Sequence, residues 1–476
     1  MKALDNPEFK RVLTALRDCK SPDQKVYVVG GAVRDLLLGK ALHDFDYVMA
    51  KGSRELAKAL RKALGGASFA LDDERGFNRV ILDGGSSQER HIDIAEFVGE
   101  TLEEDLRARD FTINAMAIDI DEPDVLIDPL GGKEDLKNGI LQVASADSFE
   151  KDPLRVLRAV RMLQTYEMGL SSETAHSLRV AISGLERVSG ERVRDELFNI
   201  LNVPSNEDSF RMMWYLGILS EVFPCVPPFS TEDASTSNQA FERRLSRVAH
   251  LEDYFLHLNL PELNHAIDSP RKTSHECFLN WCDELIEFIN RQITRGRLVR
   301  NLLVLLVLLL RQDVKEGAPS SVQAVIHHYK LSKAEGDFLT SIENAFLSEL
   351  AQITRTRVLT DLEVFKTLKQ LKSALPGFVF VSMAFADDEK REMLSEEAYK
   401  MHHSNMQSLL KAWFERGDEI IKPQLIMDGD AIMQYGGLAP GPFVGELLDI
   451  LEEAQFLGKV KTLEDAKALI DLHLAR

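Results

Sequence analysis

Cysteine is scarce in this chain. Its 476 residues hold four, Cys19, Cys225, Cys277 and Cys282, and none stand in a Cys-x-x-Cys pair. That excludes a disulfide framework, a zinc ribbon and a thioredoxin-like redox site, and a reducing, cytoplasmic compartment fits the usage. Long apolar runs are also missing. The longest, Leu302 to Leu310, has nine residues, where a bilayer span needs about 20. It is expected to be a buried core helix, and no membrane association is expected. The first stretch, MKALDNPEFKRVLTALRDCK, carries acids through its apolar positions and has no apolar signal-peptide segment. The 28 glycines and 16 prolines show no bias toward collagen or low complexity. Positive charge is the last shortage: 57 Lys and Arg face 76 Asp and Glu, a net charge of −19. On average this opposes non-specific attraction to nucleic acid.

What is present is globular. Apolar residues at 45% and charged residues at 28% can build packed cores, and the length suggests roughly three or four domains. Up to about residue 145 short β-like runs alternate with helices: KVYVVG, DFDYVMA, RVILDG, HIDIAEF and INAMAIDI read as strands. After about Ser148 periods of three and four residues take over and glycine thins out, so an all-helical remainder is expected. A Pro/Ser/Thr-rich linker is expected at Val226 to Ala240 and a second break near Lys422-Pro423. No fixed-period repeat is present.

The sharpest local signal is KVYVVGGAVRDLLLG followed by HDFDYV. Val26 to Val29 read as a strand, Gly30-Gly31 as a tight turn and Ala32 to Leu38 as a helix. Glycines at such a turn let a phosphate approach backbone N–H groups at the positive end of a helix, and Arg34 offers a forked donor to the same anion. The spacing is neither GxGxxG nor GxxxxGK[ST], so Rossmann and P-loop assignments fail. In the next strand Asp44 and Asp46 are two residues apart and project from one sheet face, with Phe45 and Tyr47 on the other. Paired hard carboxylates beside a phosphate cradle are what Mg²⁺ requires. Asp93, between Ile92 and Ile94, is a candidate third carboxylate. Seen alone, each feature has an ordinary reading: a ligand-free turn, a solvated strand edge, a polar outward residue.

Their company carries a resemblance. GGAVRD with DFD, then RDFTINAMAID, DPLGGKEDL, DPLRVLRAVRM and GERVRDEL follow the motif order of the class II tRNA nucleotidyltransferases. These are the CCA-adding enzymes, whose motif set bacterial poly(A) polymerases share. WYLGILSEVFP and the tail GGLAPGPFVGELLDILEEAQFLGKVKTLEDA also resemble the family, whereas about 230 to 420 carries no motif. The resemblance implies an α+β fold: a polymerase-β-like nucleotidyltransferase head of mixed sheet (1–147), then a helical neck that recognises the base (148–228), a helical body (229–420) and a helical, tRNA-binding tail (421–476). Gly30, Gly31, Arg34 and Asp35 would form the triphosphate-binding turn. Asp44 and Asp46 would be the metal ligands for Mg²⁺. Arg109, Asp110 and Asn114 would bind ribose and triphosphate, and Gly132 to Leu136 would be a hinge-like connection. Asp152 and Arg155 would read the base, with Arg158 and Arg161 on phosphate; Asp152, Arg155 and Arg158, three apart, are expected on one face of a helix, which Glu191 and Arg192 would buttress. Two departures stand out: Ala108 where the family usually has Arg, and Lys151 where it usually has Glu.

The implied reaction adds C and/or A residues to the 3′ end of tRNA from CTP and ATP, releasing pyrophosphate. Addition of A only, CC only or a poly(A) tail is the alternative within the family. A catalytically dead RNA-binding relative is the alternative outside it, and a head acting on a protein or antibiotic would not need the helical tail. The tRNA would be held through its 3′ end and acceptor/T arm, and no obligate protein partner is inferred. The charge objection is met locally. Lys151 to Ile200 holds eight basic residues against seven acids, and Arg187, Arg192 and Arg194 are the expected RNA contacts there. Arg291, Arg295, Arg297 and Arg300 form a second basic cluster, readable as RNA contact or as a solvated helix face. His275 with Cys277 and Cys282 lacks zinc spacing, and His402-His403 lacks a His-Asp phosphohydrolase pattern.

Overall fold

The computed structural model describes residues 7–40, 44–84, 90–226, 237–259, 276–310, 320–390, 393–421 and 424–474. Most of the expected linker at Val226 to Ala240, the break at Lys422-Pro423 and His275 lie outside the described residues. The chain divides into two compact units, 1–203 with 216–222, and 204–215 with 223–476.

The first unit is built on a seven-stranded mixed sheet. Its strands are β1 (Val26–Val29), β2 (Asp44–Met49), β3 (Ala67–Asp72), β4 (Phe77–Leu82), β5 (Arg90–Glu96), β6 (Ala117–Asp119) and β7 (Leu126–Ile127), in the order β3-β4-β5-β2-β1-β6-β7. β2 and β5 run parallel, and every other neighbouring pair is antiparallel. One face is covered by α1 (Pro7–Cys19) and α3 (Ser53–Leu64); α2 (Gly31–Leu38) follows β1. α1 buries Phe9, Val12, Leu13 and Leu16, the spacing of one helical stripe, against Val26, Val28, Phe45, Tyr47, Ile92 and Ile94. Phe9 stacks on Phe45 at 5.9 Å, and truncating such a buried ring costs about 3–5 kcal/mol. The other face carries a smaller core of Val29, Val48, Leu106, Ala115, Ala117 and Ala144. Strand alternation therefore sends Asp46, with Val48, toward this second face.

Two expectations on the strands need correction. β3 was not foreseen, because only alternate positions of Ala67–Asp72 are covered and the segment reads as polar. INAMAIDI is a strand only at Ala117–Asp119, and Thr112–Asn114 form a 3₁₀ turn.

Six further helices complete this part of the chain: α4 (Leu102–Ala108), α5 (Gly132–Asn138), α6 (Ser148–Lys151), α7 (Arg155–Thr165), α8 (Ser172–Ala181) and α9 (Gly190–Leu201). The expected hinge at Gly132 to Leu136 is instead the body of α5. Asp128 caps its first N–H groups, with Gly132 N at 2.8 Å and Lys133 N at 3.0 Å, and a Cβ on Gly132 would fall 2.1 Å from the Thr112 carbonyl oxygen. α5 is docked on the 3₁₀ turn too closely for any side chain.

In the second unit α10 (Asn206–Tyr215) packs on α12 (Ser237–Asn259) through Trp214 and Phe241, with ring centroids 4.3 Å apart; the short α11 (Ile218–Val222) belongs to the first unit. The apolar run Leu302 to Leu310 forms the buried helix Val299–Leu309 and its cap Leu310, as expected. Among the described residues no helix is long and apolar enough to cross a membrane. The last three helices, Gly429–Gly436, Pro442–Phe456 and Leu463–Leu474, enclose a core of Ile432, Leu447, Leu451 and Ile470. The remainder is mostly but not wholly helical. Ile140–Leu141 pair in parallel with Gly169–Leu170, and Gln292–Thr294 with Arg297–Leu298 form a small antiparallel ladder. The Arg291–Arg300 cluster is therefore not one helix face, and Arg297 is drawn into an ion pair with the buried Glu335 at 2.9 Å.

Candidate active site

The β1–α2 turn has the form its glycines suggested. Gly30 has φ +69°, a conformation that disfavours side chains. A Cβ there would also stand 3.0 Å from Arg109 Nη1 and 3.4 Å from Asp46 Oδ2. An arginine from the second motif and a carboxylate from β2 thus converge on the start of α2. In the parallel register Asp46 lies opposite Asp93 and Asp44 opposite His91; the side chain of Asp44 lies outside the described residues. Phe45, Tyr47, Ile92 and Ile94 are buried on the other face, as alternation required.

Asp93 is not open to a metal in this arrangement. Arg79, directly opposite on β4, holds both its oxygens at 2.7 Å. Arg79 was missed in the sequence. Its signal was the alternation of Phe77–Leu82, but the partner strand was needed to give it a neighbour.

Arg34 requires a larger correction. Its side chain is 8% exposed, and its fork is spent on Asp35, with Nε at 3.1 Å and Nη2 at 3.2 Å. Nη1 donates to Asn114 Oδ1. Arg34 supports the turn from beneath and offers no fork to an anion. Asn114 Nδ2 in turn donates to Asp110 Oδ1 at 3.0 Å, and Arg158 grips Asp110 Oδ2 at 2.7 Å. Burial opposes the charge on Asp110, but Arg158, Asn114 and the Phe111 N–H outweigh it and hold the carboxyl below its ordinary range. Arg109 is braced by Asp105 at 3.0 Å, with Asp105 buried in the middle of α4.

The fourth motif also departs from expectation. Asp152, Arg155 and Arg158 do not share a helix. Asp152 caps α6 in an extended conformation and Pro153 follows, so α7 starts only at Arg155. Asp152 pairs with Arg192 at 2.8 Å. Arg155 donates to the carbonyls of Ala108 (2.8 Å) and Arg109 (3.0 Å) and to Ser148 Oγ (2.8 Å), tying the Arg109 loop to the second helical segment. The side chain of Ala108 is not needed for that bond, and Lys151 turns to Asp147 at 2.7 Å rather than to Asp152. Arg158 is committed to Asp110, and Arg161 to Glu196 at 2.6 Å, so neither stands free for phosphate. Arg187 is exposed and Arg192 is 54% exposed, whereas the Arg194 side chain is 15% exposed and paired with Asp195. Glu191 lies in the first turn of α9 beside Arg192. His402 is buried between Ser382 and Thr354, both at 3.1 Å, which makes it a core residue.

Residues 26–142 match the family described as Poly A polymerase head domain, and residues 167–229 the family described as Probable RNA and SrmB-binding site of polymerase A. The chain is similar to the tRNA nucleotidyltransferases and poly(A) polymerases, as its motifs implied. It is a nucleotidyltransferase. An A-adding tRNA nucleotidyltransferase of Deinococcus radiodurans is 28% identical over 93% of this chain and 94% of its own length. A CC-adding tRNA nucleotidyltransferase of Synechocystis sp. is 27% identical over 93% and 92%. The solved Thermotoga maritima CCA-adding enzyme complexed with tRNA covers 99% of this chain and 98% of its own, at 25% identity and a TM-score of 0.60. A CCA-adding enzyme with CTP reaches a TM-score of 0.67 at 24% identity, covering 100% and 97%. Members of this nucleotidyltransferase family use a divalent metal. An aspartate carboxylate set beside the glycine turn supplies the hard oxygen chemistry such a cation takes.

Proposed function

We propose that this nucleotidyltransferase adds C and A residues, building CCA, to the 3′ end of tRNA from CTP and ATP in the cytoplasm. The reading rests on one observation above all: Asp46 and Arg109 meet at the Gly30 turn. It is supported by the activities named for the relatives and by the CTP and tRNA complexes of the structural neighbours.

In the reaction the terminal ribose 3′-oxygen bonds to the α-phosphorus, its proton is lost, and the bond to the β-phosphate oxygen breaks to release pyrophosphate. Asp44 and Asp46 would hold Mg²⁺, and a cation bound there would supply the positive charge that favours an ionised 3′-hydroxyl and a leaving pyrophosphate. The N–H groups after Gly30 and the Arg109 guanidinium bind the triphosphate, and Asp110 with Asn114 keeps the Arg109 loop in place. Asp152 accepts from the exocyclic amino group that cytosine and adenine share, while Arg155, expected to read the adjacent ring nitrogen, is spent on the Ala108 and Arg109 carbonyls and holds the Arg109 loop instead. Uracil and guanine set a carbonyl against the carboxylate. The segment 1–147 acts as head, 148–228 as neck, 229–420 as body and 421–476 as the tRNA-binding tail.

The test is incubation of purified protein with tRNA ending at the discriminator base and each labelled nucleotide in turn. Ordered incorporation of two C and one A is expected; addition of A alone, of CC alone or of a long A tract would replace the proposal. With Asp152→Ala, discrimination against UTP should fall by roughly 10- to 100-fold, the equivalent of one unpaired buried group. An undiminished preference for C and A would place base reading elsewhere.

A further inference from the structure

Tyr166, which no motif covers, stands at the C-terminal cap of α7. Its hydroxyl donates to Asp35 Oδ1 at 2.9 Å. The Arg34 guanidinium lies over its ring, 4.3 Å from the centroid, and Lys40 Nζ is over the same ring at 4.3 Å. Glu167 takes φ +52°, which turns the chain so that the Met168 N–H reaches the Leu163 carbonyl at 2.9 Å and ends the helix at Tyr166. Arg34 also touches Met162 Sδ at 3.7 Å. Arg158, Met162 and Tyr166 are four residues apart and share one stripe of α7. The first holds Asp110, and the other two hold Arg34. Arg34 in turn sits under the glycine turn, where a Cβ on Gly31 would come 3.1 Å from its Nη2.

We infer that Tyr166 is a positioning residue for the triphosphate: it fixes Arg34 and Asp35 beneath the Gly30–Gly31 turn, so that α7 sets the spacing between the phosphate end and the base end of the nucleotide. The ring supplies a face for the cation, and the hydroxyl fixes the carboxylate that the cation forks onto. Burial, first of all, raises the phenol to about 12, so the donor persists at every working pH. The inference rests on the nucleotidyltransferase reading above, and it predicts a defect shared by all nucleotides, because the triphosphate is what they have in common.

Tyr166→Leu removes ring and hydroxyl, and Tyr166→Phe removes the hydroxyl alone. The measurements are steady-state kinetics with CTP, ATP and tRNA, and direct binding of inorganic tripolyphosphate. The Leu variant should raise KM for CTP and ATP by a common factor of roughly 10 and weaken tripolyphosphate binding equally. Its kcat should stay within about twofold, and its KM for tRNA should not change. The Phe variant should show roughly a threefold effect, the size of one hydrogen bond. Unchanged nucleotide KM and tripolyphosphate affinity would overturn the inference, as would a loss confined to kcat or to the folded fraction. If the Leu variant does not fold, the Phe variant decides alone: wild-type values for both nucleotides and for tripolyphosphate overturn the assignment. Failure of the wild-type enzyme to extend tRNA would count against the functional reading only, because tripolyphosphate binding reports on Tyr166 without any transfer.

Discussion

At the scale of single residues the site is a set of side chains that hold one another. Asp46 is a carboxylate at the glycine turn, 3.4 Å from where a Cβ on Gly30 would lie, and its place comes from strand alternation against Phe45 and Tyr47. Asp46→Ala should leave the β2 core untouched, because Phe45 and Tyr47 face away from it. It should lower transfer by roughly 10³-fold, the equivalent of several kcal/mol of charge stabilisation. Single-turnover extension of tRNA measures this, and near-normal turnover would remove Asp46 from the metal site. Arg34 and Arg79 show how far a residue's role depends on its partner. Both are cations beside the proposed phosphate and metal sites, and both are spent on neighbouring aspartates, Asp35 and Asp93.

At the scale of elements, α5 and the 3₁₀ turn Thr112–Asn114 form one assembly. Gly132 meets the Thr112 carbonyl, and Thr112 Oγ1 donates to Asp135 at 2.6 Å. Gly132→Ala puts a methyl into backbone that cannot yield, and should cost about 1–3 kcal/mol in denaturant unfolding. It should also raise the nucleotide KM, because the displaced turn carries Asn114 and hence the support of Arg34. In the second unit His402, on the helix Glu396–Ile421, joins the helices that carry Ser382 and Thr354. Burial, with the nearby Arg355 charge, pushes its imidazole down to about 3. The unfolded chain binds the proton near 6.5, so between those values the unfolded state holds more protons. This contribution is complete above about pH 6.5 and is lost as pH falls toward 3, by up to about 1.4 kcal/mol per pH unit. His402→Gln should flatten that dependence in denaturation measured from pH 7 to pH 4; an unchanged slope would assign the acid sensitivity to other groups.

At the scale of the whole molecule, a chain of net charge −19 must hold an anionic substrate through local cations. Arg187 is exposed on the segment between α8 and α9. Arg187→Glu should weaken tRNA binding and reduce the slope of log affinity against log salt by about one. Titrations at several salt concentrations read this directly, and a slope equal to the wild type would move the RNA contact away from Arg187.

The sequence by itself determined a head of strands alternating with helices, the helical character that follows, the glycine turn and the face on which Asp46 lies. These follow from local rules: period two in strands, periods of three and four in helices, and the freedom of glycine at positive φ. Pro153 also carried a readable signal, because the residue before a proline is pushed out of the helical region; the three-residue spacing from Asp152 to Arg155 and Arg158 looked helical only with that proline left out of account. Only the tertiary structure decided which cation meets which carboxylate. Arg79 finds Asp93 through the β4–β5 register, Arg158 finds Asp110 across 48 residues, and Arg34 is covered by Tyr166 across more than 130. Charge and hydrogen-bond partners are chosen by proximity in space, at distances of about 3 Å, and residue spacing along the chain does not encode that proximity.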